Sequence, residues 1–344
     1  MVECGCEQFL MSERLNRGVL VDRFGRKHTS LRVSVTDRCN LRCTYCMPAD
    51  TPDYCERDSI LTFEEITRVV RIAAGLGVDD VRLTGGEPLV RSQLYKLVRA
   101  IGNVAGVKKV SLTTNAILLA DQLSQLHAAG LRSVNISLDA LDEASFFEVT
   151  RRPGMQRVLD AIDACRAMDV KVKVNAIAMK HFTERQIAAF GEFTRATDIP
   201  VRFIEFMPLD ADGNWDDSRV LAGKRILDLF AQRVGVLSPK GEPSVSPAID
   251  YTFEDGVGTI GIIASVTQPF CSTCNRFRLT ADGQLRNCLF GGDSGDLRAL
   301  LRDGSSDEAI ADRIVSAVMA KKRGHGTDDL SFDRPSRPMY SIGG

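Results

Sequence analysis

Cys39, Cys43 and Cys46 stand within eight residues, spaced Cys-x3-Cys-x2-Cys. Three thiolates so close on one loop can each ligate one iron of a cubane iron–sulfur cluster. A simple electron-transfer cubane takes a fourth cysteine, and the nearest spare, Cys55, falls outside the spacing. The fourth iron is then a Lewis-acidic position open to a small chelating molecule. A three-cysteine zinc site is the competing reading, although zinc motifs usually pair their cysteines at two-residue gaps. A second group, Cys271-x2-Cys274-x13-Cys288, offers three more thiolates with no fourth Cys or His close by. Its spacing favours a second [4Fe–4S] cluster with an open iron and leaves zinc as the alternative. Arg276 and Arg278 lie between these ligands. In an extended segment both guanidinium groups point the same way, which suits a phosphate chain. Solvated surface arginines are the plain alternative.

Such residues need a frame. From Leu31 to about Pro208, β-branched runs alternate with amphipathic helical patterns. Candidate strands are 31–35, 81–84, 109–113, 133–138, 170–177 and 201–206. Candidate helices are 63–76, 92–101, 121–129, 155–168 and 183–197. Thr62 before Phe63-Glu64-Glu65 reads as an N-cap, and Gly77, Gly130 and Asp169 fall where helices should stop. Six strands with crossover helices imply right-handed βαβ units and a parallel sheet. Periodicity fits an open doubly wound sheet and a curved partial barrel equally well. The first cysteine group follows the first strand, at the sheet edge where α/β sites are built.

After Pro208 the chain changes character. A polar loop (209–219), a helix (222–234), a Pro/Ser-rich stretch (238–247) and a β-like segment (257–266) lead to the second cysteine group. Two helices follow (296–303 and 308–321), then a Gly- and Pro-rich tail expected to be irregular. Gly256-x-Gly258-x-x-Gly261 matches a dinucleotide fingerprint, but strand-like residues follow it where that fingerprint needs a helix.

A formal net charge of −1 excludes global attraction to nucleic acid or an anionic membrane. Any anionic ligand must be held by local Arg and Lys. No apolar run is long enough for a membrane-spanning helix, and residues 1–20 do not resemble a signal peptide, so a cytoplasmic location is expected. In a reducing compartment ten cysteines do not suggest a disulfide framework.

Cys39-Asn40-Leu41-Arg42-Cys43-Thr44-Tyr45-Cys46 resembles the radical S-adenosylmethionine signature, with Tyr45 as the aromatic before the last cysteine. Thr84-Gly85-Gly86-Glu87-Pro88 looks like the Gly-Gly-Glu element of that superfamily, whose backbone and carboxylate bind the cofactor's amino group. With no Gly-Lys-Ser/Thr following, it is not a P-loop. Cys271-Ser272-Thr273-Cys274-Asn275-Arg276-Phe277-Arg278-Leu279, the distant Cys288 and the terminal Gly343-Gly344 together resemble the GTP 3′,8-cyclase family of molybdenum cofactor biosynthesis. The resemblance runs from about Gly18 to Gly344.

The resemblance implies an α/β fold, an incomplete (βα)6 TIM-like barrel closed by a C-terminal region that carries the second cluster. Its divisions would be an N-terminal segment (1–30), the partial barrel (31–208), the cluster-binding region (209–324) and a tail (325–344). It implies two [4Fe–4S] clusters, S-adenosylmethionine and GTP. Cleavage of the cofactor at the first cluster yields a 5′-deoxyadenosyl radical, which takes the ribose 3′ hydrogen of GTP; the carbon radical then attacks C8. Cys39, Cys43 and Cys46 would hold the first cluster and Cys271, Cys274 and Cys288 the second, which anchors the purine. Tyr45, Gly86, Ser137 and Met207 would contact the cofactor. Arg32, Arg82, Thr113, Lys173, Arg202, Arg276 and Arg278 would contact GTP, with Arg276 and Arg278 also assigned to catalysis. Charged positions alternating within apolar strands, as at Lys173 and Arg202, need an anionic partner to face inward.

The family further implies an external one-electron donor, product transfer to cyclic pyranopterin monophosphate synthase, and a monomer or homodimer. The terminal glycines are expected to reach the active site. One position departs from the family: Ala116 stands where a Gly is usual, which costs about 1 kcal/mol if that position needs positive φ. Cys4, Cys6, Cys55 and Cys165 match no motif.

Overall fold

The computed structural model describes residues 18–241, 246–326, 332 and 334–343. Six parallel strands run in simple sequence order: β1 (Ser30–Ser34), β2 (Asp80–Thr84), β3 (Lys109–Thr114), β4 (Ser133–Ser137), β5 (Lys171–Ala178) and β6 (Val201–Glu205). The crossovers are α1 (Phe63–Gly75), α2 (Leu94–Gly102), α3 (Leu119–Ala128), α4 (Glu143–Thr150) with α5 (Met155–Ala167), and α6 (Phe182–Thr197). The order contains no reversal, so there is no switch point and the doubly wound alternative is excluded.

Strand sequences explain the two faces. On β5, Val172, Val174, Ala176 and Ala178 are buried, while Lys173, Asn175 and Ile177 line an interior cavity. On β6, Val201 and Phe203 are buried and Arg202 and Ile204 face that cavity. The apolar half of each alternation goes under the helices, and the polar half turns inward. Residues of every strand from β1 to β6 line one cavity, so the sheet curves around it.

Local signals set the helix limits. Thr62 Oγ1 accepts from Glu65 N at 3.1 Å, and Glu65 Oε2 accepts from Thr62 N at 2.7 Å. This capping box is worth about 1 kcal/mol. Gly77, Gly130 and Asp169 adopt φ values of 96°, 106° and 55° where α1, α3 and α5 stop.

The remaining strands extend both edges. β9 (Thr259–Ile263) joins β6 in parallel and continues to β8 (Ile249–Phe253) and β7 (Leu237–Pro239). β10 (Arg276–Leu279) joins β1 in parallel and continues to β11 (Gln284–Arg286) and β12 (Gly295–Asp296). Phe190, Phe203, Phe230 and Phe253 form an edge-to-face ladder with centroids 5.5, 5.7 and 6.1 Å apart. It bonds α6 and β6 to α7 (Gly223–Arg233) and β8, each step contributing about 1 kcal/mol beyond its buried area. The Gly256–Gly261 run leads into β9, not into a helix.

Two expectations need correction. Helix α4 was not legible, because its eight residues show little amphipathic contrast. The tail is not wholly irregular. After α8 (Leu297–Arg302) and α9 (Asp307–Met319), a short α10 (Met339–Ile342) buries Tyr340, Ser341 and Ile342. Cys4, Cys6 and Gly344 lie outside the described residues.

Candidate active site

The first cysteine group sits on a tightly bonded loop after β1. Cys43 O accepts from both Cys46 N and Met47 N at 3.0 Å. Arg42 donates to the carbonyls of Cys39 and Leu41 at 2.9 and 2.8 Å. Helix α4 supports the loop from behind: Arg42 N and Thr44 N donate to Thr150 O and Val149 O at 3.0 and 2.9 Å.

The Gly-Gly-Glu element supports it from the side. Gly86 N donates to Thr36 O at 2.7 Å and Glu87 N to Arg38 O at 2.8 Å. A Cβ at Gly86 would stand 2.5 Å from Asp37 O, and one at Gly85 would stand 2.6 Å from Thr36 O. These glycines therefore let two loops touch backbone to backbone. Glu87 is 1% exposed and accepts from Leu89 N, Thr114 Oγ1 and Asn115 N at 3.0, 2.7 and 2.7 Å. Burial, partly offset by these bonds, pushes its carboxyl up to about 7.

All three thiols line the cavity. Burial pushes Cys39 up to about 12, and burial with neighbouring anionic groups raises Cys43 and Cys46 as well. Arg42 and Asn115 only partly offset this at Cys39, and three thiols so placed on one loop fit a metal-bearing group. Among the described residues no three His, Cys, Asp or Glu side chains are placed to hold a single ion. Asn115 Nδ2 is 3.8 Å from Cys39 Sγ. Tyr45 donates to Asp139 at 2.8 Å, and Asp139 also accepts from Ile177 N at 2.7 Å. Burial raises the Asp139 carboxyl to about 6.

The cavity, about 550 Å³, is strongly cationic on one side. Strand register places Arg278, Arg32 and Arg82 directly side by side on β10, β1 and β2. Like charges directly opposed across strands destabilise a sheet. Arg278 is 6% exposed and donates to Gly343 O at 2.6 Å. Arg82 donates to Ser111 Oγ at 3.3 Å, and Arg276 stacks 5.0 Å from the Phe270 ring. Burial first, then the other arginines, depresses the Arg32 guanidinium. Lys173 is lowered by burial and by Arg202. Arg202 differs, because Asp250 accepts its hydrogen bond at 3.1 Å and supplies the anionic partner from within the chain.

The second group has another setting. Asn275, Arg276, Arg278 and Leu289 line the cavity, whereas Cys271, Cys274 and Cys288 are not among its lining residues. Burial opposes the Cys274 thiolate, but Arg276 and Lys321 outweigh it and bring the thiol down to about 7. The tail closes the cavity with Met339 and Tyr340. Gly343, at φ 88°, passes where a Cβ would stand 2.6 Å from Ser34 Cβ.

Two family models match the chain: the radical SAM superfamily over residues 33–194 and Molybdenum Cofactor Synthesis C over residues 199–327. A GTP 3′,8-cyclase of Rhodopirellula baltica is 46% identical over 330 residues, covering 94% of this chain and 92% of the relative. The chain belongs to the GTP 3′,8-cyclase family. A second member, from Corynebacterium glutamicum, is 44% identical over 338 residues, covering 95% of this chain and 89% of its own. SuiB of Streptococcus suis bound to the precursor peptide SuiA shares the fold, with a TM-score of 0.58 at 15% identity. That likeness covers 92% of this chain and 70% of SuiB.

Within this family frame, the structure brings together around one cavity Arg32, Arg82, Thr113, Ser137, Lys173, Arg202, Met207, Arg276 and Arg278, with Tyr45 and Gly86. Sequence reading missed Lys109, Asn135 and Asn175, which also line it. Their period-2 positions relative to Thr113, Ser137 and Lys173 on their own strands were the available signal. Asp139 and Tyr340 had none, since each is brought in by a loop or the tail. No helix among the described residues is long and apolar enough to cross a membrane.

Proposed function

We propose that this chain is a radical S-adenosylmethionine cyclase that converts GTP to (8S)-3′,8-cyclo-7,8-dihydroguanosine 5′-triphosphate, the first step of molybdenum cofactor biosynthesis. One observation carries the reading. A single cavity joins the thiols of Cys39, Cys43 and Cys46 to a row of three laterally adjacent arginines, Arg278, Arg32 and Arg82. When bound, the cofactor and a [4Fe–4S] cluster would supply a 5′-deoxyadenosyl radical that takes the ribose 3′ hydrogen, after which C3′ bonds to C8.

The chain's own residues bind and orient. Cys39, Cys43 and Cys46 hold the first cluster, and Gly86, Tyr45, Ser137 and Met207 shape the cofactor's place. Arg32, Arg82, Arg276 and Arg278 hold the triphosphate with Lys173, and Thr113 and Arg202 complete the GTP contacts. Cys271, Cys274 and Cys288 hold a second cluster behind Arg276 and fix the purine. The spacing of both cysteine groups, with no fourth Cys or His close by, favours clusters over zinc.

In this reading residues 31–208 form an incomplete (βα)6 barrel, residues 209–324 the cluster-binding region that closes it, and residues 325–344 a tail after the 1–30 segment. An external donor supplies electrons one at a time, one for cofactor cleavage and one that, with a proton, quenches the guanine radical left after C3′ bonds to C8, and the product passes to cyclic pyranopterin monophosphate synthase. The test is anaerobic reconstitution with iron and sulfide, then incubation with GTP, S-adenosylmethionine and reductant. A cyclised nucleotide is the expected product. Cofactor cleavage without GTP consumption would refute the assignment.

A further inference from the structure

Lys321 lies just past the end of α9 and is 4% exposed. Its ammonium donates to Arg276 O at 2.8 Å and to Asn287 O. Those carbonyls belong to the two segments bearing the second cysteine group: Arg276 lies two residues after Cys274, and Asn287 directly precedes Cys288. Arg26 braces the same wall from the other side. It donates to Cys271 O and Lys322 O at 2.8 Å and to Arg323 O at 3.1 Å.

The two cations differ in how their charge is met. Arg26 is paired with Asp22 at 2.6 Å. The ion pairs nearest this wall engage Arg26, Arg286 and Arg337, and none among the described residues includes Lys321. The imidazole of His28 is already shared with Asp22, at 3.1 Å. Two carbonyl dipoles and the negative end of α9 favour an ammonium, yet a buried charge without a counter-ion is costly. The ligand side chains on offer are those of Cys274 and Cys288, whose flanking carbonyls Lys321 already holds.

We propose that Lys321 is the fixed counter-charge of the group bound by Cys271, Cys274 and Cys288, and the brace that sets the spacing of the Cys274 and Cys288 segments. The proposal rests on the reading of those cysteines as a second cluster. Reduction adds an electron to a cluster, so a fixed positive charge beside it raises the potential. Lys321 touches neither GTP nor the cofactor site, so it is a positioning residue.

The experiment compares Lys321→Gln, which keeps a donor without the charge, with Lys321→Arg, which keeps the charge. Both are made in the full chain, reconstituted anaerobically, with iron counted and each cluster titrated by electron paramagnetic resonance. Lys321→Gln is expected to cut the reduced-to-oxidised ratio of the second cluster at least tenfold at a given potential, about 60 mV for one electron. The first cluster keeps its potential, and Lys321→Arg stays close to wild type. Loss of the second cluster alone in Lys321→Gln also supports the counter-charge. An unchanged second-cluster potential at full iron content overturns it. So does joint loss of both clusters with the fold, since Lys321 would then be an ordinary structural residue. If the wild-type chain takes up only one cubane, the two-cluster reading itself fails, a result distinct from a silent Lys321 variant.

Discussion

The loop of Cys39, Cys43 and Cys46 and the segment around Cys274 differ in electrostatic setting. Cys39, Cys43 and Cys46 are half-buried, with Glu87 acting on Cys39 and Asp139 on Cys43, and their thiols are raised. Cys274 lies near Arg276 and Lys321, and its thiol is lowered to about 7. The first loop leaves charge compensation to whatever its thiols bind. The second carries positive charge in the protein itself. A group at the first site is therefore harder to reduce, which suits a centre that must give its electron away. A group at the second site is easier to reduce, because positive charge beside it favours the added electron.

The largest expected effect comes from breaking the first group. Cys39→Ser should lower 5′-deoxyadenosine formation by roughly 10³-fold or more, with iron falling to one cubane per chain. Retained cleavage would remove Cys39 from the ligand set. Next is the arginine row. Arg276→Ala removes charge-assisted bonds worth about 2–3 kcal/mol, so kcat/KM for GTP should fall about 10²-fold. Cleavage of the cofactor without GTP should continue, and an equal loss of both activities would place Arg276 outside the substrate site.

A smaller effect tests the burial of the first group. Asp139 has its carboxyl raised from 3.8 to about 6, so the folded chain keeps a proton that the unfolded chain has released. Its contribution to stability is full below pH 3.8 and is lost as the pH rises through about 6. Asp139→Asn removes that dependence. The stability of wild type relative to the variant should drop by about 3 kcal/mol across this window, measured by urea unfolding of ligand-free protein. A flat difference would show that Asp139 is better solvated than its surroundings imply.

The smallest effect concerns Ala116, which adopts φ 63° and is fully buried. Ala116→Gly relieves about 1 kcal/mol of backbone strain but loses a buried methyl worth about 0.8 kcal/mol. Unfolding midpoints should therefore agree closely, and a gain above about 1 kcal/mol would mean that the methyl packs poorly.

Much of the frame was legible before any coordinates. The six strands lie within one or two residues of the positions read from alternation, and the cap at Thr62 and the stops at Gly77, Gly130 and Asp169 hold in detail. These signals survive because each depends on neighbours within a few residues. Helix α4 and the tail helix lacked such a signal, yet one supports the cysteine loop and the other lines the cavity.

By itself, then, the sequence determined the alternating βα frame, the two cysteine groups and the shared direction of Arg276 and Arg278, all consequences of local spacing. Only the tertiary structure decided that β10 docks in parallel on β1, setting Arg278 beside Arg32 and Arg82, and that Gly343 threads between Ser34 and Thr84. Pairing across more than two hundred residues follows from which edges remain open once the sheet has curved, and no local periodicity encodes that choice.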